Sequence, residues 1–188
     1  MAAFKLESDR LIIRKLTEDD LEDFYTYRSN PVVVKYQSFD VMSRKSAENF
    51  ILSQESKDFK IAGTWSQYGI EEKSTGKIIG DCAIKLDDYD QRIAEIGITM
   101  ATDFQRKGFA SECMLTIMKY LFDVLKIHRI VETVDADNEA SIRLLEKLKF
   151  RKEGDFLENI FIKGKWESEL QYAMLKSEWD KKVDRAVN

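Results

Sequence analysis

An α+β domain, built on a mixed but mostly antiparallel sheet flanked by helices, is what the sequence predicts. Two patterns carry the prediction. Residues 61–100 hold three strand-like segments separated by turn residues, and from residue 106 onward amphipathic helices alternate with short strands. Nothing divides the chain: one Pro in 188 residues, no Gly/Ser-rich linker, no repeat, and charge spread evenly. Residues 1–188 are therefore expected to form a single domain with its core at about 6–179.

The elements follow in order. LIIR at 11–14 is a short apolar strand. In TEDDLEDFYTYRSNP, Thr17 followed three residues later by Asp20 resembles a helix-opening capping box, Leu21, Phe24 and Tyr25 form an apolar stripe, and Pro31 marks the end. A second helix is expected over 43–56, with Ala47, Phe50 and Ile51 on one face. Strands are expected over 61–71, 77–86 and 92–100, separated by KSTG and DDYD. Ala110, Met114, Ile117, Met118, Leu121 and Leu125 recur at helical spacing, which predicts a long helix over 106–125. A strand at 129–134 leads to a helix at 138–149, with Asn138 at its N-cap and Ile142, Leu145 and Leu148 facing inward. Strands at 150–156 and about 169–175 precede a charged tail.

Composition removes several chemistries. His128 is the sole histidine, so a multi-histidine zinc site is excluded and any Ser–His–Asp triad would pass through this residue. Cys82 and Cys113 form no C-x-x-C pair, and no metal is expected; both thiols are expected to pack as small apolar groups. A net charge of −4 argues against broad nucleic-acid binding, which needs a basic surface, and is compatible with cationic substrates. MAAFKLESDR lacks the apolar core of a signal peptide, and no apolar run approaches the roughly 20 residues that cross a bilayer. A cytoplasmic protein without nucleic-acid or membrane partners is the expectation.

One segment carries chemistry. In AEIGITMATDFQRKGFASECM a strand ends near Met100 and a helix opens at QRKGFA. The first N–H groups of a helix lack intrahelical partners, and with the helix dipole they suit a phosphate-like anion. Gly108 lets such an anion approach the backbone, while Arg106 and Lys107 add positive charge. Gly108 easing a tight loop into a core helix would explain the same residues. The loop has neither a Walker Lys–Ser/Thr pair nor G-x-G-x-x-G, which disfavours an unrelated nucleotide site.

Gln105, Gly108 and Ala110 match Q/R-x-x-G-x-G/A, the acetyl-CoA signature of the GCN5-related N-acetyltransferase (GNAT) superfamily, which the chain resembles from about residue 6 to 179. More narrowly it resembles the branch of the Rim-type ribosomal-protein N-acetyltransferases, through SDRLIIRKLTEDDLEDFYTYRSNP, ETVDADNEASIRLLEKLKF and ELQYAMLKSEW, with Asn138 and Ser141 at the N-x-x-S positions. Lys149 stands where the family usually has Gly at a helix C-terminus. If left-handed geometry persists there, it costs about 1 kcal/mol. Ser168 stands where Asp is common.

The resemblance implies a GNAT-like sheet with a strand splay, and transfer of acetyl from acetyl-CoA to a primary amine, either a protein N-terminus or a small molecule, by direct attack in a ternary complex. A non-catalytic acyl-CoA-binding or regulatory module on the same scaffold is the alternative, and a homodimer is possible. It further implies that the backbone of Ile98, Thr99 and Met100 pairs with the pantetheine arm. The amides of Gln105, Arg106, Lys107, Gly108, Phe109, Ala110 and Ser111 would hold the pyrophosphate, and Asn138 and Ser141 would sit beside the thioester. Ser141 is the candidate hydroxyl for the departing sulfur, and Tyr172 the second. Candidate bases are Glu95, which strand alternation puts on the same face as Gly97, and Glu112, which could instead complement the helix dipole. His128 lies away from the loop and reads as a turn residue. Phe24, Tyr27, Tyr36 and Trp65 could line an acceptor cleft, or could be core and scattered surface.

Overall fold

The computed structural model describes residues 4–187, with side chains through Lys181. Eight strands form one sheet in the order β1-β2-β3-β4-β5-β6-β8-β7. They are β1 (Lys5–Glu7), β2 (Leu11–Arg14), β3 (Ser66–Glu72), β4 (Ile78–Leu86), β5 (Ile93–Met100), β6 (Arg129–Asp135), β7 (Arg151–Ile162) and β8 (Lys165–Leu175). Every neighbouring pair is antiparallel except β5 and β6. The expected mixed, mostly antiparallel sheet is therefore present.

Five helices flank it: α1 (Leu21–Arg28), α2 (Arg44–Gln54), α3 (Phe109–Lys119), α4 (Glu139–Lys147) and α5 (Lys176–Val187). Leu16, Phe24, Tyr27, Ala47, Ile51 and Ile78 seal α1 and α2 to the sheet. A larger cluster packs α3 and α4 onto it through Phe109, Met114, Ile117, Met118, Leu145 and Leu148. Both cysteines lie buried and unbridged, as expected. Among the described residues no helix is long and apolar enough to cross a membrane.

Several boundaries differ from the sequence expectations, each for a physical reason. The strand expected from 61 begins at Ser66, because Asp58 turns the chain: its carboxylate accepts from Lys60 N–H at 3.0 Å and its carbonyl from Ile61 N–H at 3.0 Å. The long helix starts at Phe109, not 106, since Arg106 and Gly108 adopt left-handed backbone (φ 59° and 83°). Its last expected turn widens into a π-helical segment, Tyr120–Val124, with Leu125 N–H donating to the Tyr120 carbonyl. The final strands extend to Ile162 and back from Lys165 around Lys163 and Gly164. The expected tail is α5, whose Trp179 stacks on Phe122 at 5.7 Å and donates to Asp123 at 2.9 Å. Lys149 does hold the left-handed geometry, at φ 66°.

Candidate functional site

The parallel pairing of β5 with β6 lasts only from Ile93↔Arg129 to Glu95↔Val131. On its other side β5 stays paired with β4 as far as Met100, so β5 and β6 part in a V whose vertex lies just past Glu95. A cavity of about 360 Å³ occupies the opening. Consecutive residues Ile96, Gly97, Ile98 and Thr99 line it. Alternating side chains point to opposite faces, so this lining means the cavity runs through the sheet. A Cβ built on Gly97 would meet nothing within 4 Å, so this glycine leaves the β5 wall bare.

On the α1 side the wall includes Arg28, Tyr36, Phe39, Trp65 and Gln67. Arg28 is buried and locked to Asp81: its Nε and Nη2 donate to the two carboxylate oxygens at 2.9 and 2.5 Å, while Nη1 has no partner. Tyr27 and Gln67 donate to the same carboxylate. On the α4 side are Asn138 and Ser141, and the β7–β8 hairpin adds Glu167 and Glu169. Asn138 also caps α4, accepting from Ser141 N–H at 3.3 Å.

The wall is acidic. Glu95, Glu132, Asp135, Glu167 and Glu169 face one cation, Arg28, whose charge Asp81 already meets. Most of these carboxylates have partners: Glu95 with Lys85 at 2.6 Å, Glu167 with Lys165 at 2.5 Å, Glu169 with Asn159 at 2.6 Å, and Asp135 with Asp137 N–H at 2.8 Å. Glu132 is the exception. It is buried, and its Oε2 has no hydrogen-bond partner. Burial first, and then the charge of Glu95, push its carboxyl up to about 8.

Past Thr99 the chain leaves the cavity wall and forms the exposed loop before α3. Gln105 folds back, its Nε2 donating to the Met100 carbonyl at 3.0 Å, and Gly108 caps the helix at φ 83°. A Cβ there would meet only Arg10, at 3.4 Å, so the approach to the first α3 amides is open. Arg10 braces the loop from β2: it donates to the Lys107 carbonyl at 3.2 Å and stacks on Phe109 at 4.2 Å. Glu112 ties this junction together, accepting from Ser8 Oγ at 2.7 Å, Arg10 N–H at 2.8 Å and Arg10 Nε at 2.6 Å. Burial alone would raise its carboxyl, but these hydrogen bonds outweigh that and hold it below the usual range.

The structure thus gathers Glu95, Ile98, Thr99, Asn138 and Ser141 around one cavity, with Met100 and residues 105–111 continuing from its β5 edge. Tyr172 is not brought there: it is 2% exposed and packs in the core opposite Glu132 in the β6–β8 register. Glu112 is consumed by the loop brace, and His128 is exposed in the turn before β6. Tyr36 and Trp65 line the cavity, whereas Phe24 and Tyr27 belong to the α1 core. Ser168, in β8, accepts from Glu158 N–H at 2.9 Å. Sequence reasoning missed Arg28 and Glu132. The signal for Glu132 was a charge flanked by Ile130 and Val134 on the buried face of an alternating strand. Among the described residues no group of three or more His, Cys, Asp or Glu is placed to hold a metal ion.

The sequence model of one protein family, described as an acetyltransferase (GNAT) domain, matches residues 10–151. An uncharacterized N-acetyltransferase, p20 of Bacillus licheniformis, is 31% identical over 174 residues, covering 93% of this chain and 97% of that one. A spermidine N(1)-acetyltransferase of Vibrio cholerae is 25% identical over 172 residues, covering 92% and 96%. A crystal structure of a GNAT-family acetyltransferase from Bacillus anthracis superposes with a TM-score of 0.84 at 27% identity, covering 93% of this chain and all of that one.

Proposed function

The chain belongs to the GNAT acetyltransferase family and is an N-acetyltransferase, and from that premise we propose that it moves acetyl from acetyl-CoA to a small, positively charged primary amine. The observation that carries this is the acidic cavity running through the β5–β6 splay and continuing toward the open start of α3. Residues 1–188 would act as one domain.

The residues fit an acyl-CoA. The edge of β5 beyond Glu95 lacks a strand partner on the β6 side, so the backbone around Ile98, Thr99 and Met100 can accept the amides of the pantetheine arm. The bare face at Gly97 leaves room for it. The amides from Gln105 to Ser111, with Arg106 and Lys107 beside them, would hold the pyrophosphate. Asn138 and Ser141 would sit beside the thioester, the Ser141 hydroxyl steadying the departing sulfur. Bound acetyl-CoA supplies an activated thioester, so no nucleophilic side chain is required of the protein. The protein's own work is to align the amine, to stabilise the oxyanion with a β5 backbone N–H, and to receive a proton.

The acceptor class follows from charge. Lysines meet the charges of Glu95 and Glu167 and Asp81 meets that of Arg28, which leaves Asp135 and Glu169, held only by neutral donors, to favour an ammonium. The similarity to a spermidine acetyltransferase supports the same class. Calorimetric titration with acetyl-CoA, followed by thiol release with spermidine, 1,4-diaminobutane and alanine amide, tests both parts. Binding, with faster release from the di- and polyamines, is expected. No binding of any acyl-CoA would overturn the function, and a preference for alanine amide would overturn the acceptor class in favour of a peptide N-terminus.

A further inference from the structure

Glu132 sits where the two strands part. Glu95↔Val131 is the last β5–β6 pair, so Glu132 is the first β6 residue beyond it, at the vertex of the V. Its neighbours two residues away, Ile130 and Val134, are buried, and Glu132 is buried with them while lining the cavity. An unpaired buried carboxylate is expensive, and protein interiors normally give such a group a partner. The other four carboxylates of this wall each have one, and Glu132 Oε2 does not.

We propose that Glu132 is the group that takes the proton from the acceptor ammonium, a role that rests on the transfer reaction proposed above. One ammonium proton passes to the Glu132 carboxylate, leaving a neutral amine. Its nitrogen bonds to the thioester carbon as the carbon–sulfur bond breaks. The second proton shed by nitrogen goes to the departing thiolate, giving the thiol, and Glu132 returns its proton to solvent. Glu95, held by Lys85 in the wall of the same cavity, is then a positioning residue. It attracts the ammonium and, by its charge, makes Glu132 a stronger base. Glu132 shares its cavity with Arg28, Tyr36, Glu95, Asp135, Glu167 and Glu169, of which Glu95 acts on its carboxyl, and its register partner on β8 is Tyr172; α4 contributes the uncharged Asn138 and Ser141.

A carboxyl that titrates at about 8 is well matched to an amine at neutral pH, because the best catalytic base has a pKa near the working pH. The sign is fixed: Glu132 must be ionised to act, so kcat should rise with pH through about 8. The experiment compares wild type, Glu132→Gln, Glu132→Asp and Glu95→Gln with acetyl-CoA and the best of the three amines. Glu132→Gln should bind acetyl-CoA as wild type does, lose kcat by about 100-fold or more, and lose the rising limb of the kcat profile. Glu132→Asp should keep the limb at reduced kcat, and Glu95→Gln should move its midpoint to lower pH. A Glu132→Gln enzyme with kcat within about threefold of wild type and an unchanged pH profile overturns the inference while leaving the transfer function standing. A wild type that binds no acyl-CoA overturns both.

Discussion

Glu112, at the β2–α3 junction, and Glu132, at the β5–β6 splay, are treated in opposite ways. Glu112, at the start of α3, accepts three hydrogen bonds from Ser8 and Arg10, which hold its carboxyl below the usual range. Glu132, at the splay, is more deeply buried, lacks a partner for Oε2, and is pushed up to about 8. The first arrangement is how a protein stabilises a junction. The second costs stability, and the fold carries that cost at the point where the sheet opens. Deep burial without a partner separates the reactive carboxylate from the structural one, whose partners outweigh a lesser burial.

The comparison can be broken by removing each group in turn. Glu112→Ala should have the largest effect on stability. It strands the Ser8 hydroxyl and the Arg10 guanidinium and unties β2 from α3, at a cost of about 2–3 kcal/mol in urea unfolding, with weakened acetyl-CoA binding because Arg10 also braces Lys107. A loss below about 0.5 kcal/mol would show that the brace is not structural.

Next in size is the pH dependence of stability, where the two groups have opposite signs. Glu112 has a lowered pKa, so its contribution is present above about 4.5 and is lost on acidification. Glu132 has a raised one, so the folded state holds a proton that the unfolded chain releases. Its contribution is present below about 4.5 and is lost as pH rises through about 8. Glu132→Gln cannot ionise, so it should melt about 3 °C or more above wild type at pH 9 and close to it at pH 5. Equal melting temperatures at both pH values would mean that Glu132 is solvated or paired after all.

How much of this was legible in the sequence depended on how local each signal is. QRKGFA and DNEAS are contiguous, so the open helix start and the Asn138 cap could be read directly, and the family resemblance through them holds. The alternating core of β4 and β5 was equally plain. The β7 strand was underestimated because most of its side chains are exposed and show no period-two pattern, and α5 passed for a tail because its stripe is diluted by charge. Glu132 was visible as a misfit in RIVETV, but only the strand register shows that it falls at the vertex of the splay. The surroundings of Tyr172 were hidden for the same reason: the register sets it opposite Glu132, and it packs in the core outside the cavity wall.

The smallest expected effect asks whether a local cost by itself marks function. Lys149 is a second place where the chain departs from the cheap solution, holding φ 66° after α4 where glycine would sit without strain. Phe150 N–H still closes the helix by donating to the Leu145 carbonyl at 2.9 Å, so the backbone geometry is imposed by the helix end and not by the side chain. Lys149 is exposed and lies outside the cavity wall. Lys149→Gly should therefore raise stability by about 0.5–1 kcal/mol and leave kcat and its pH profile unchanged. Relief of the cost at Glu132 should also stabilise the protein, but at the expense of the reaction. Stabilisation without loss at one position, and with loss at the other, would tie function to the location of the cost; a fall in kcat for Lys149→Gly would break that link.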